Sequence, residues 1–229
     1  MIPMIDVDAQ KTIEWEVSEF LFDMDGTLLD SIAAVEQAWY EWAAEEGVAI
    51  PDGESFHGRT AQDLAAALIP EERIPAALLR LSELEQSPRV PVTPLLGALE
   101  LLTAVPVEKW AVVTSAARLV ALARLAAGGI PVPTLLVSGD DVAHGKPDPE
   151  PYLAGIRWAR NGILPVAFED TVAGLRSARA AGCRAVGLVG TATAAELLPH
   201  ADAVLATLAE ATVVVGHDGS LRVRLIPID

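Results

Sequence analysis

A chain of 229 residues corresponds to roughly 1.5 average domains, which points to one domain carrying a large insertion or to two small ones. Hydrophobic residues make up 52% and mean hydropathy is +0.36, which excludes disorder; with aromatics at only 5%, aliphatic and Ala side chains must build the core. Acids outnumber bases 32 to 16, and the net charge of −16 excludes the usual nucleic-acid or anionic-membrane binder, so an anionic substrate would need a local counter-charge.

Residues 1–16 read as an N-terminal extension. Asp6, Asp8, Glu14 and Glu16 among its apolar residues are unlike a signal peptide, and nowhere do 18 apolar residues run together. An apolar strand is expected at 19–23. The stretch from Ser31 to Pro94 then shows no strand pattern. Ile32–Glu46 reads as a helix with Ile32, Val35, Trp39 and Trp42 on one stripe, both tryptophans packing inside the insertion, and further helices are expected at Ala61–Leu68 and 75–87. From Leu95 a strand–helix alternation resumes, with strands at 110–114, 134–137, 165–168, 184–189 and Ala203–Leu205, and helices at 95–104, 117–127, 151–160, 172–181 and 194–198. Near-continuous apolar strands of this kind form a parallel sheet covered on both faces. The single cysteine, Cys183, excludes an intrachain disulfide, fits a reducing compartment and reads as a small packed residue. Residues 212–227 read as a hairpin around His217-Asp218-Gly219. The fold class is thus α/β: a Rossmann-like parallel sheet core covered by helices (17–30 and 95–229), interrupted by an all-helical domain at 31–94.

Polar groups gather at the carboxyl ends of these strands, where open α/β sheets bind ligands. The first strand runs into Asp23-Met24-Asp25-Gly26-Thr27, two carboxylates at i and i+2 before a turn-permitting glycine. The second ends in Thr114-Ser115, hydroxyls just before a helix N-terminus, a ready anion site. After the third comes His144-Gly145-Lys146-Pro147-Asp148-Pro149, in which Gly and Pro fix a lysine able to present a point charge to an oxyanion. The fourth ends in Glu169-Asp170-Thr171, adjacent acids that repel one another unless a cation neutralises them. Each group also has an ordinary account: an acidic turn, a Ser/Thr N-cap, a loop lysine, an Asp N-cap. Their succession at four strand ends is what points to chemistry. A P-loop is excluded, since five residues separate Gly139 from Gly145 and Pro147 stands where Ser or Thr belongs.

In these four motifs the chain resembles the haloacid dehalogenase-like hydrolase superfamily, in the branch with a helical cap inserted after the first strand, over about residues 17–210. Residues 108–115 and 145–153 are similar to sugar-phosphate, glycerol-phosphate and 2-deoxyglucose-6-phosphate phosphatases, and His57-Gly58-Arg59 resembles their cap substrate loop. The resemblance implies that Asp23 attacks phosphorus and forms an aspartyl-phosphate, and that Asp25 serves as acid and then base. It implies that Thr114, Ser115 and nearby N–H groups hold the phosphoryl oxygens while Lys146 balances charge. Mg²⁺ would be held by Asp23, the Asp25 carbonyl and Asp170, with Glu169 beside it, and His57 and Arg59 would read the substrate. Dehalogenases and phosphonate hydrolases of the superfamily lack an Asp at position 25. Mutases like β-phosphoglucomutase carry a His ten residues after the second Asp, where this chain has Val35. A non-catalytic phosphometabolite-binding protein on the same fold would be expected to have lost a motif residue, and none is missing. The expectation is a Mg²⁺-dependent cytoplasmic phosphatase acting on a small phosphorylated metabolite, a monomer or weak homodimer without nucleic-acid or membrane partners.

Overall fold

The computed structural model describes residues 12–50, 60–158 and 162–228. In chain order the strands are β1 (Ile13–Val17), β2 (Phe20–Phe22), β3 (Leu29–Asp30), β4 (Thr93–Pro94), β5 (Trp110–Val113), β6 (Leu136–Val137), β7 (Val166–Glu169), β8 (Arg184–Leu188), β9 (Ala203–Leu205), β10 (Ala211–Val215) and β11 (Leu221–Leu225). The α-helices are α1 (Ile32–Glu46), α2 (Ala61–Leu68), α3 (Ile74–Gln86), α4 (Ala98–Ala104), α5 (Arg118–Ala127), α6 (Glu150–Gly155), α7 (Val172–Ala180) and α8 (Ala194–Leu197).

Six parallel strands lie in the order β6-β5-β2-β7-β8-β9. Counted along the sheet's own sequence this is 3-2-1-4-5-6, the doubly wound order in which the chain departs to both sides of the first strand. The pleat divides the strand residues between two cores. Phe20, Phe22, Val112, Phe168 and Val186 pack against α4 and α5, whereas Leu21, Ala111, Val113, Ala167 and Ala185 pack against α6, α7 and α8. Phe22 stacks on Phe168 with ring centroids 5.2 Å apart, so large rings occupy one face while small residues let helices approach the other.

Helices α1, α2 and α3 pack around a third cluster built on Trp39, Trp42, Leu64, Ala77 and Leu81. Trp42 meets Trp39 edge-on at 5.2 Å and donates its indole N–H to the Ala77 carbonyl. Contrary to the expectation of no strand between Ser31 and Pro94, Thr93 and Pro94 pair antiparallel with Leu29 and Asp30, tying the two linkers of the insertion side by side.

Other differences have local causes. The helix expected at 95–104 begins at Ala98, because the Leu95 amide donates to the Leu28 carbonyl and Gly97 turns at φ +87°. The helix expected from 151 to 160 ends at Gly155, because the buried Glu19 carboxylate captures the amides of Arg157 and Trp158. Residues 13–17 are not mere extension: β1 pairs with β11 of the terminal hairpin, Glu14 opposite Arg224 and Glu16 opposite Arg222. Among the described residues no helix is long and apolar enough to cross a membrane.

Candidate active site

β2 is the central strand, and its carboxyl end delivers Asp23, whose amide donates to the Phe168 carbonyl of the neighbouring strand at 3.0 Å. On either side β5 delivers Thr114 and β7 delivers Glu169 and Asp170. The loop after β6 swings Lys146 in from the side. Its ammonium reaches Asp23 Oδ1 at 2.5 Å, Glu169 Oε1 at 2.6 Å and the Val113 carbonyl at 3.0 Å. All three of its protons are thus committed, and its side chain is 1% exposed. Burial works to lower the ammonium's pKa, but Asp23 and Glu169 outweigh it and hold it above its ordinary value.

Glu169 accepts from the Tyr152 hydroxyl at 2.8 Å and from Thr171 at 3.2 Å as well as from Lys146, so both of its oxygens have protein donors. Its carboxyl lies against Gly174, where a built Cβ would stand 1.9–2.1 Å from three of its atoms, so the close approach demands glycine. Thr171, not Asp170, caps α7, its hydroxyl accepting from the Gly174 amide. The ordinary account of Asp170 as an N-cap therefore fails, and Asp170 is left for other work. Both its oxygens are buried without a hydrogen-bond partner. Burial, then the charge of Glu169, pushes its carboxyl up to about 7. Burial likewise drives Asp23 well above the carboxylate range, with Lys146 opposing and Glu169 and Asp170 adding to the rise.

Oxygen atoms of Asp23, Glu169 and Asp170 lie within 4.8 Å of one another. The site fits a hard divalent cation: an all-oxygen set is what Mg²⁺ takes, and orphaned buried carboxylate oxygens are costly unless a cation meets them. Asp170 and Asp23 are the carboxylates best placed to serve it, since Glu169 already has three protein partners.

The Thr114–Ser115 pair is not an N-cap either. Helix α5 starts after Ala117 with no side-chain cap. Thr114 instead accepts from the Ala116 amide at 3.1 Å, and the buried Ser115 hydroxyl has no partner. Both line a cavity of about 50 Å³ together with Asp23, Asp25 and Asp170. Val35, from the insertion, lines it too, and so does Trp39, which therefore does more than pack against Trp42.

Asp25 is gripped from two sides: Ser31 Oγ donates to Oδ1 at 2.5 Å, and Arg124 Nη1 to Oδ2 at 2.8 Å. The other fork of Arg124 reaches Glu85 Oε1 on α3, also at 2.8 Å. Burial works against the guanidinium's charge, and Asp25 with Glu85 holds its pKa above the ordinary value. Arg124, Glu85, Ser31 and Tyr152 were not singled out from the sequence as site residues. The signal for the first two was a charge on the buried stripe of a helix, Arg124 beside Val120, Ala121 and Leu125, and Glu85 after Ile74, Ala77 and Leu81.

His57, Gly58 and Arg59 lie outside the described residues. The next residues, Thr60 and Ala61, line a mouth of about 270 Å³ that adjoins the cavity. Arg118 is a surface residue paired with Asp141. Cys183 is buried, and burial pushes its thiol up to about 12.

Residues 20–188 match the family described as haloacid dehalogenase-like hydrolase. The chain is 36% identical over 217 residues to hexitol phosphatase A of Escherichia coli K12, covering 90% of this chain and 98% of that protein. It is 34% identical over 206 residues to glycerol-1-phosphate phosphohydrolase 2 of Saccharomyces cerevisiae, covering 79% and 78% respectively. Among solved structures, a hydrolase from Pseudomonas syringae superposes with a TM-score of 0.71 at 27% identity, over 84% of this chain and 94% of that one.

Proposed function

The chain belongs to the haloacid dehalogenase-like hydrolases and is a phosphatase, and from that premise we propose that it hydrolyses a small sugar or polyol phosphate through an aspartyl-phosphate on Asp23, with Mg²⁺ as cofactor. The observation that carries this reading is the pairing of Asp23 with a fully committed Lys146 beside the orphaned carboxylate of Asp170. In a chain of net charge −16, a cation held at these carboxylates would supply the counter-charge that a phosphate needs.

An Asp23 carboxylate oxygen attacks phosphorus and the ester P–O bond breaks, the electron pair leaving with the alkoxide. Asp25 gives that oxygen its proton and the alcohol departs. Asp25 then takes a proton from the water that attacks the aspartyl-phosphate, releasing inorganic phosphate and regenerating the Asp23 carboxylate. Thr114 and Ser115 hold phosphoryl oxygens from the β5 side. Lys146 opposes the rise that burial imposes on the Asp23 carboxyl and aims it, and Glu169 with Tyr152 keeps Lys146 in place. Bound at Asp23, Asp170 and the Asp25 carbonyl, Mg²⁺ would offset the negative charge crowded around the phosphoryl group. Val35 faces the cavity with no group able to carry a proton, which favours hydrolysis over the mutase alternative. The substrate's hydroxyls are read from the cap side, where His57 and Arg59 remain the residues proposed for that task.

The test is phosphate release from a panel of sugar and polyol phosphates with Mg²⁺ or with excess chelator. Turnover of at least one such ester only with Mg²⁺ is expected. A phosphoryl adduct should be trapped on wild type or Asp25→Asn and never on Asp23→Asn. Full activity in chelator would overturn the metal, and an adduct on Asp23→Asn would overturn the nucleophile.

A further inference from the structure

We propose that Arg124 is a positioning residue that ties closure of the helical cap to the placement of Asp25. The proposal rests on the reading of Asp25 as the proton carrier of the reaction. Arg124 stands on core helix α5, yet its guanidinium divides between two domains: Nη1 on Asp25 at the end of β2, Nη2 on Glu85 in the last turn of cap helix α3. The second grip on Asp25 comes from Ser31, the residue that follows linker strand β3 and precedes the first cap helix. Both oxygens of Asp25 are therefore held by groups whose positions depend on where the cap sits.

The cap is closed in this structure. Thr60 packs against Gly145 of the lysine loop so tightly that a Cβ there would come within 2.7 Å of it. The described cavity over Asp23 measures about 50 Å³, room for a few waters and far below the several hundred Å³ of a small-molecule site. The described way in is the mouth of about 270 Å³ between α2, α3 and the loops after β5 and β6, and lifting α2 and α3 widens it. Glu85 lines both the cavity and the mouth, so it lifts with them and its contact with Arg124 breaks. The guanidinium fork is then free to close on both oxygens of Asp25, the bidentate arrangement that Arg favours with carboxylates. Closure brings Glu85 back onto one arm of the fork and leaves Asp25 with a single arm on Oδ2, so that Oδ1, held only by the Ser31 hydroxyl, keeps a lone pair for a proton at the wall of the cavity. Proton transfer is thereby confined to the closed, water-poor state.

The experiment compares wild type, Arg124→Gln, Glu85→Gln, the double variant and Arg124→Lys, with Mg²⁺, on two esters. One is glycerol phosphate or hexitol phosphate, whichever wild type turns over faster, whose alkoxide needs a proton to leave. The other is 4-nitrophenyl phosphate, whose phenolate does not. Arg124→Gln should lower kcat on the alkyl ester by about 30-fold or more, with KM and the rate of the first-turnover burst of 4-nitrophenolate, which precedes the base step, each changing by less than about threefold. Glu85→Gln should show the same pattern at about 10-fold, the double variant should be no worse than Arg124→Gln, and Arg124→Lys should recover part of the loss. Equal losses on the alkyl ester and on the first-turnover burst of 4-nitrophenolate, losses confined to KM, or additive effects in the double variant would each overturn the proposal. If Arg124→Gln does not fold, Glu85→Gln and Arg124→Lys decide it by the same pattern. A wild type that turns over neither ester, or only the aryl one, overturns the reading of Asp25 and the proposal with it. An active wild type with unimpaired variants overturns the coupling alone.

Discussion

Replacing Lys146 with Met removes a buried cation and leaves its two carboxylates behind. The ammonium donates to Asp23, Glu169 and a main-chain carbonyl, and nothing else described in the structure could take its place between them. Removing one partner of a buried ion pair costs about 3–5 kcal/mol, because the remaining charge stays desolvated and uncompensated. At this chain length that corresponds to a fall of about 6–20 °C in Tm. Urea and thermal denaturation at pH 7 read the change, and kcat should fall by about 100-fold or more, since a cation beside the transferring group is lost. Lys146→Met with Glu169→Gln removes one positive and one negative charge together and should regain about half of the lost stability or more. A single variant destabilised by less than about 1 kcal/mol, or a double variant no better than the single, would refute the view that Lys146 is the electrostatic keystone of these strand ends.

Gly174→Ala should destabilise by about 2–3 kcal/mol or more, because its methyl would overlap the Glu169 carboxyl, which cannot retreat without releasing Lys146 and Tyr152; a Tm within about one degree of wild type would show that the helix can yield. Chelator-treated protein should lose stability as pH rises from 5.5 to 7.5. Asp170 is raised from 3.8 to about 7 in the folded chain, so over this window the folded state binds the extra proton, and deprotonation favours unfolding. Saturating Mg²⁺ should flatten that slope, and a flat urea midpoint in the chelated protein would contradict a buried, unpartnered carboxylate.

The sheet and the identity of its strand-end residues were legible because both are local properties. Apolar runs such as 110–113 and 166–168 form fully buried parallel strands wherever they occur between helices, and three of the four motifs stand at or within a residue or two of their strand ends, Lys146 alone coming nine residues after β6. The cap helices were legible in the same way, since the stripe of Val35, Trp39 and Trp42 is a property of helical periodicity. Strand β1 was readable in principle. Ile13-Glu14-Trp15-Glu16-Val17 alternates apolar and acidic residues just as Leu221–Leu225 alternates apolar and basic ones, but only pairing across some 200 residues reveals the match.

The sequence by itself determined which groups stand at the strand ends and, through the family those motifs resemble, pointed to phosphate-ester chemistry. Only the tertiary structure decided how those groups divide the work, because partnership between side chains far apart in sequence depends on where the elements pack. It assigned Glu169 to Lys146 and Tyr152 and left Asp170 without donors, and it moved the N-cap of α7 to Thr171. It also turned two buried charges on separate helices, Arg124 and Glu85, into a single bridge. Neither is explicable alone, since an isolated charge on an apolar stripe is costly, and the cost is relieved only when packing α3 against α5 brings the opposite charges together.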